Sequence, residues 1–118
     1  MQLFTNIIIT IIALQHIAFM LLEMFYWDKP LGRRVFGHSQ EVAKLSKTLA
    51  ANQGLYNGFL AVGLFWGLTL GAEGISIKTF FLACVLIAGI FGGMTASKKI
   101  LYVQALPAAI GLALLLLS

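Results

Sequence analysis

The sequence predicts an all-α integral membrane protein, a four-helix transmembrane bundle with short loops and one longer, basic cytoplasmic loop. Three observations carry this reading. Hydrophobic residues make up 60% of the 118 residues and charged residues only 10%, against roughly 25% charged in an ordinary soluble domain. The apolar residues gather in four runs, about 3–27, 49–70, 77–96 and 100–117, each close to the ~20 residues a spanning helix requires. Lys and Arg concentrate between runs, as in the cytoplasmic loops of membrane proteins. A soluble chain this short leaves too much of its area in water to hide so much apolar surface. One domain, residues 1–118, accounts for the length.

Helices are favoured over a barrel because strict apolar/polar alternation is absent, and lipid tolerates only helices or closed barrels. The first run, LFTNIIITIIALQHIAFMLLEMFYW, lacks the basic start and small-residue cleavage site of a signal peptide, so it reads as a retained span. The loop after it, Asp28–Thr48, holds Lys29, Arg33, Arg34, Lys44 and Lys47. Pro30 and Gly32 mark a turn there. Ser39 can cap a helix starting at Gln40, with Glu41 suited to the helix dipole. Val42, Leu45 and Leu49 then recur at helical spacing, which predicts an amphipathic extension of the second span or a short interfacial helix before it.

The second loop, Gly71–Ser76, is short and its region holds only Lys78, whereas the turn Ser97–Lys99 holds two lysines. The first and third loops are therefore expected in the cytoplasm of a multi-pass cell-membrane protein, with both termini outside. Trp27, Tyr26 and Tyr102 fall where interfacial aromatic anchors do. No internal repeat supports an inverted-repeat transporter.

The net charge of +4 does not imply nucleic acid, because no basic face with interleaved aromatic residues is present. The partners expected are membrane lipids and a small-molecule ligand. Cys84 is the only cysteine and His16 and His38 the only histidines, so neither a disulfide framework nor a metal motif is expected. No cofactor is implied by the residues, and no nucleophile–base pair or phosphate loop is visible.

The candidate site lies inside the apolar runs. Ionisable groups there are costly and by default face protein or water. Asn6, Thr10, Ala13, His16, Met20, Glu23 and Trp27 form one stripe on the first helix at steps of three and four. His16 and Glu23 stand about 10 Å apart along the axis, at ~1.5 Å per residue, too far to bond but able to hold two ends of one ligand. The second span opens with Asn52, Gln53, Tyr56 and Asn57, which donate and accept without carrying charge. Glu23 near the cytoplasmic end of one helix should meet this cluster in a shared cavity, with Gln104 as a further contributor. The ligand-binding candidates are thus His16, Glu23, Asn52, Gln53, Tyr56 and Asn57.

The competing reading is packing alone, since interhelical amide bonds are common membrane glue. Gly54-x-x-x-Gly58, Gly63-x-x-x-Gly67-x-x-x-Gly71 and Gly89-x-x-x-Gly93 permit close helix packing within one bundle, or equally a homo-oligomer interface.

At HIAFMLLEMFYW followed by NQGLYNGFLAVGL the chain resembles a family of small bacterial four-span membrane proteins known only as a domain of unknown function. The resemblance implies membrane topology and marks the same six polar positions, but implies no activity. A weaker likeness is to the membrane-associated glutathione and eicosanoid enzymes, with their four spans, basic first loop and asparagine-bearing second helix. Those enzymes carry arginines and a glutamate around the asparagine; this chain has Lys44, Lys47 and Asn52, with Tyr56 and Asn57 in place of a glutamate. Three functions are therefore in view. One is binding or transport of a small polar or amphiphilic molecule in an intramembrane pocket. The second is a membrane enzyme on a lipophilic substrate, with Tyr56 or His16 as acid/base and a soluble cofactor near Arg33 and Arg34. The third is an accessory subunit without a pocket.

Overall fold

The computed structural model describes residues 1–118 and is all-helical. Five α-helices follow one another: α1 (Gln2–Phe25), α2 (Pro30–Phe36), α3 (Gln40–Thr69), α4 (Ile75–Thr95) and α5 (Leu106–Leu117). A 3-10 turn, Gly71–Gly74, leads into α4, and a π-turn, Leu101–Ala105, leads into α5. Two stretches, Gln2–Phe25 and Gly71–Thr95, are long and apolar enough to cross a membrane. Helix α3 has the length, but Asn52, Gln53, Asn57 and its glycines dilute its apolar content, while the apolar stretch Leu101–Leu117 is shorter.

The first loop differs from expectation. Pro30 does not merely turn the chain; it opens α2, where a fixed φ and a missing N–H suit a first helical turn. Gly37, at φ 70°, closes α2 with its N–H on the Arg33 carbonyl, a left-handed cap that glycine adopts without strain. Helix α3 starts at Gln40 with the Val42 N–H on Ser39 Oγ at 3.2 Å. The amphipathic segment is thus continuous with the second long helix, not a separate piece. Gly71 lies on no helix face: at φ 59° it is the turn residue after α3.

The chain forms two compact units, Met1–Ala13 with Val62–Ser118, and Leu14–Ala61. In the first, Ile9, Ile12, Leu64, Leu82, Val85 and Ala108 are buried. Gly74 approaches the Gly67 carbonyl so closely that a Cβ on it would overlap the oxygen, and a Cβ on Gly89 would lie 2.8 Å from the Ala105 nitrogen. Only glycine permits these backbone approaches. Pro107 cannot donate to the carbonyl four residues back. Just upstream the ladder widens, the Leu106 N–H reaching Leu101, and Gln104 Nε2 donates to the Val85 carbonyl at 3.1 Å.

In the second unit, Ala43, Ala50, Gly54, Gly58 and Ala61 recur at helical spacing along the buried face of α3. The loop here is organised around Trp27. Its ring packs on His38 and Phe36, at 4.2 and 4.9 Å between centroids. Trp27 Nε1 donates to Ser46 Oγ at 3.0 Å, and His38 Nε2 lies 3.0 Å from the Trp27 carbonyl. Trp27 is thus a tie within the protein rather than a free interfacial anchor.

Large apolar side chains are exposed as well as buried. On α4, Phe80, Ile87, Phe91 and Met94 are exposed, while the largest fully buried side chain is Lys78. Contiguous apolar exposure of this kind marks contact with another apolar phase.

Candidate functional site

Four polar or charged side chains are buried: Thr5, His16, Glu23 and Lys78. Thr5 is satisfied locally, its Oγ1 donating to the Met1 carbonyl at 2.9 Å. Glu23 and Lys78 need an explanation, because an unpaired charge removed from water costs far more than a buried hydroxyl.

Glu23 sits near the end of α1 and is 4% exposed. Asn57 Nδ2 of α3 donates to Glu23 Oε1 at 2.5 Å. The partner helix comes close because Gly54 and Gly58 have no side chain there. A Cβ on Gly54 would lie 3.0 Å from the Met20 carbonyl and 3.1 Å from Glu23 Cβ, and one on Gly58 would meet Met20 Sδ. Carboxylate, amide, Met20 and Met24 thus form one tight contact. A charge-assisted hydrogen bond of this type contributes about 1.5–3 kcal/mol.

Of the six candidate residues, the structure brings Glu23 and Asn57 together. His16 is fully buried two turns earlier on α1, edge-on to Phe19 at 5.4 Å. Asn52, Gln53 and Tyr56 are exposed on α3 and do not join Glu23. The expected cavity of several amides narrows to one amide. Gln104 is engaged with the α4 backbone in the other unit. Arg34 is exposed and Arg33 half-buried, both in the last turn of α2.

Lys78, near the start of the third apolar run, lies inside α4 and is 1% exposed. Its Nζ donates to Asn6 Oδ1 of α1 at 3.3 Å. Gly67 lets the lysine stem in: a Cβ there would lie 2.6 Å from Lys78 Cγ. A signal was available, since Lys78, Leu82, Val85, Gly89 and Gly93 share one buried face of α4. That face is legible from Gly89 and Gly93, and steps of four, three and four carry it back through Val85 and Leu82 to Lys78. No group of three or more His, Cys, Asp or Glu side chains is placed to hold a metal ion.

Such a molecule is a small all-helical protein with two apolar helices and two buried charges, each bonded to an asparagine. The chain belongs to the family described as "Protein of unknown function (DUF1304)", which matches residues 10–116. It is 31% identical over 106 residues to "Uncharacterized protein YpaA" of Lactococcus lactis subsp. lactis (strain IL1403), covering 88% of this chain and 89% of that one. No solved structure matches the chain.

Proposed function

We propose that the protein is a four-span integral membrane protein that binds a small polar or amphiphilic molecule at the Glu23–Asn57 pair. The carrying observation is a carboxylate 4% exposed on a helix long and apolar enough to cross a membrane, bonded to an amide of a second helix. Intramembrane ionisable groups mark substrate or ligand pathways more often than packing. The exposed Phe80, Ile87, Phe91 and Met94 support lipid contact along α4.

Lys29, Arg34, Lys44 and Lys47 are all exposed, which supports reading this loop as cytoplasmic, with both termini on the other side. Val42, Leu45 and Leu49 are exposed along the first turns of α3, an apolar stripe that fits the membrane interface. A cationic or hydrogen-bond-donating head group is the natural partner of the Glu23 carboxylate. Met20 and Met24 are flexible enough to move aside for it.

The test is binding of a protonated long-chain primary amine, which can donate to the carboxylate, to purified wild type and Glu23→Gln, read by thermal shift. Replacing a charge-assisted contact worth about 1.5–3 kcal/mol should weaken binding about tenfold or more. Equal shifts in both proteins would reduce Glu23 and Asn57 to structural glue.

A further inference from the structure

Lys78 offers a second site, and the chemistry it would recognise is opposite in sign. A lysine ammonium carries three donors and no acceptor. Here it makes one hydrogen bond, to Asn6 Oδ1 at 3.3 Å. No side-chain carboxylate forms an ion pair with it; the molecule's one salt bridge joins Lys47 to Asp28. A lysine this near a helix end commonly reaches out to water along its flexible stem. This one does not, being 1% exposed.

The lysine instead borders a cleft of about 340 Å³, where Gln2, Thr5 and Asn6 of α1 meet Ile75 of α4 and Leu115 of α5. That volume is at the lower end for small-molecule sites. Its lining combines Lys78, the amides of Gln2 and Asn6 and the hydroxyls of Thr5 and Ser118 with apolar side chains. An uncompensated buried cation beside an open cleft is suited to a negative ligand that completes its hydrogen bonds.

We propose that this cleft binds an oxyanion, a carboxylate or phosphate, through Lys78 with Asn6 as the second polar contact. The anion can arrive free or as the head of an amphiphile whose tail follows Ile75 and Leu115. The site involves none of the residues of the Glu23–Asn57 pair and stands or falls separately from it.

The test measures binding of three probes to the full chain purified in neutral detergent: oleate, oleyl alcohol and inorganic phosphate. Proteins compared are wild type, Lys78→Met and Asn6→Asp. Lys78→Met keeps a long flexible side chain without the charge. Asn6→Asp keeps size and shape but supplies an internal counter-ion, so it remains informative if Lys78→Met fails to fold. Wild type should bind oleate at least tenfold more tightly than either variant, with oleyl alcohol weak in all three. Phosphate that competes with oleate assigns the site to free oxyanions as well; phosphate that does not assigns it to amphiphiles. The proposal is overturned if wild type binds neither anion, if oleyl alcohol binds as well as oleate, or if Asn6→Asp binds oleate as tightly as wild type.

Discussion

Glu23 and Lys78 solve one problem with opposite signs. Each is a long charged side chain buried on an apolar helix, each is bonded to an asparagine of another helix, and each is reached across a glycine. Asn57 turns its N–H toward the carboxylate, and Asn6 turns its carbonyl toward the ammonium. Asparagine serves both because its amide is donor and acceptor at once.

The difference lies in how complete each pair is. Glu23 is in close contact with its amide and enclosed by Met20, Met24 and Gly54. Lys78 has a longer bond and borders a cleft. A closed pair behaves first as a structural tie that a ligand must open. An open pair is already short of a partner.

The glycines give the largest expected effect. Gly67→Leu would drive a side chain into the Lys78 stem and the α4 backbone, where little can yield. A loss of about 3 kcal/mol or more is expected in chemical denaturation. Gly58→Leu should lose less, about 1–3 kcal/mol, because only the flexible Met20 side chain stands in its way. Equal losses would erase the distinction between a rigid approach and a yielding one.

Next come the asparagines. Asn57→Leu strands a carboxylate and Asn6→Leu strands an ammonium, each expected to destabilise by about 1–3 kcal/mol. A double-mutant cycle of Glu23→Gln with Asn57→Leu should return a coupling of about 0.5–3 kcal/mol, and a cycle of Lys78→Met with Asn6→Leu should return less. The reverse order would contradict the reading of Glu23 as the completed pair.

The smallest effect belongs to the exposed pair in the loop, Lys47 to Asp28 at 3.2 Å. The hydrogen bond from Lys47 holds the Asp28 carboxyl below its usual range. A carboxyl depressed in the folded state adds stability above its unfolded value, and loses it as pH falls through the folded value. Melting temperature should therefore drop slightly more with acid in wild type than in Asp28→Asn, and high salt should remove the difference.

Much of this was legible in the sequence. The all-helical class followed from four apolar runs, and the α3 start at Gln40 followed from Ser39. Burial of Glu23 followed from its place on the polar stripe of α1. What misled was treating every amide of α3 as equivalent. Asn52 and Tyr56 do share a face, but the buried face runs through Ala50, Gly54, Gly58 and Ala61, and Asn57 is the amide beside it. Small residues mark where a helix is approached; polar residues alone do not. The same rule finds Lys78, whose position continues the glycine face of α4. The π-turn before Pro107 had a local cause in the missing N–H, but its packing on Gly89 is a tertiary contact that no local pattern encodes.

The proposed membrane reading has the exposed apolar face of α4 in lipid while Glu23 and Lys78 are enclosed by helices. Collision accessibility of a nitroxide at Phe91→Cys, in a Cys84→Ser background in lipid vesicles, tests it most directly. Phe91 is exposed in mid-stripe on α4. The label there should collide readily with oxygen, which concentrates in the bilayer, and scarcely with a water-soluble nickel chelate. Strong collision with the nickel chelate would put that face in water and contradict the account.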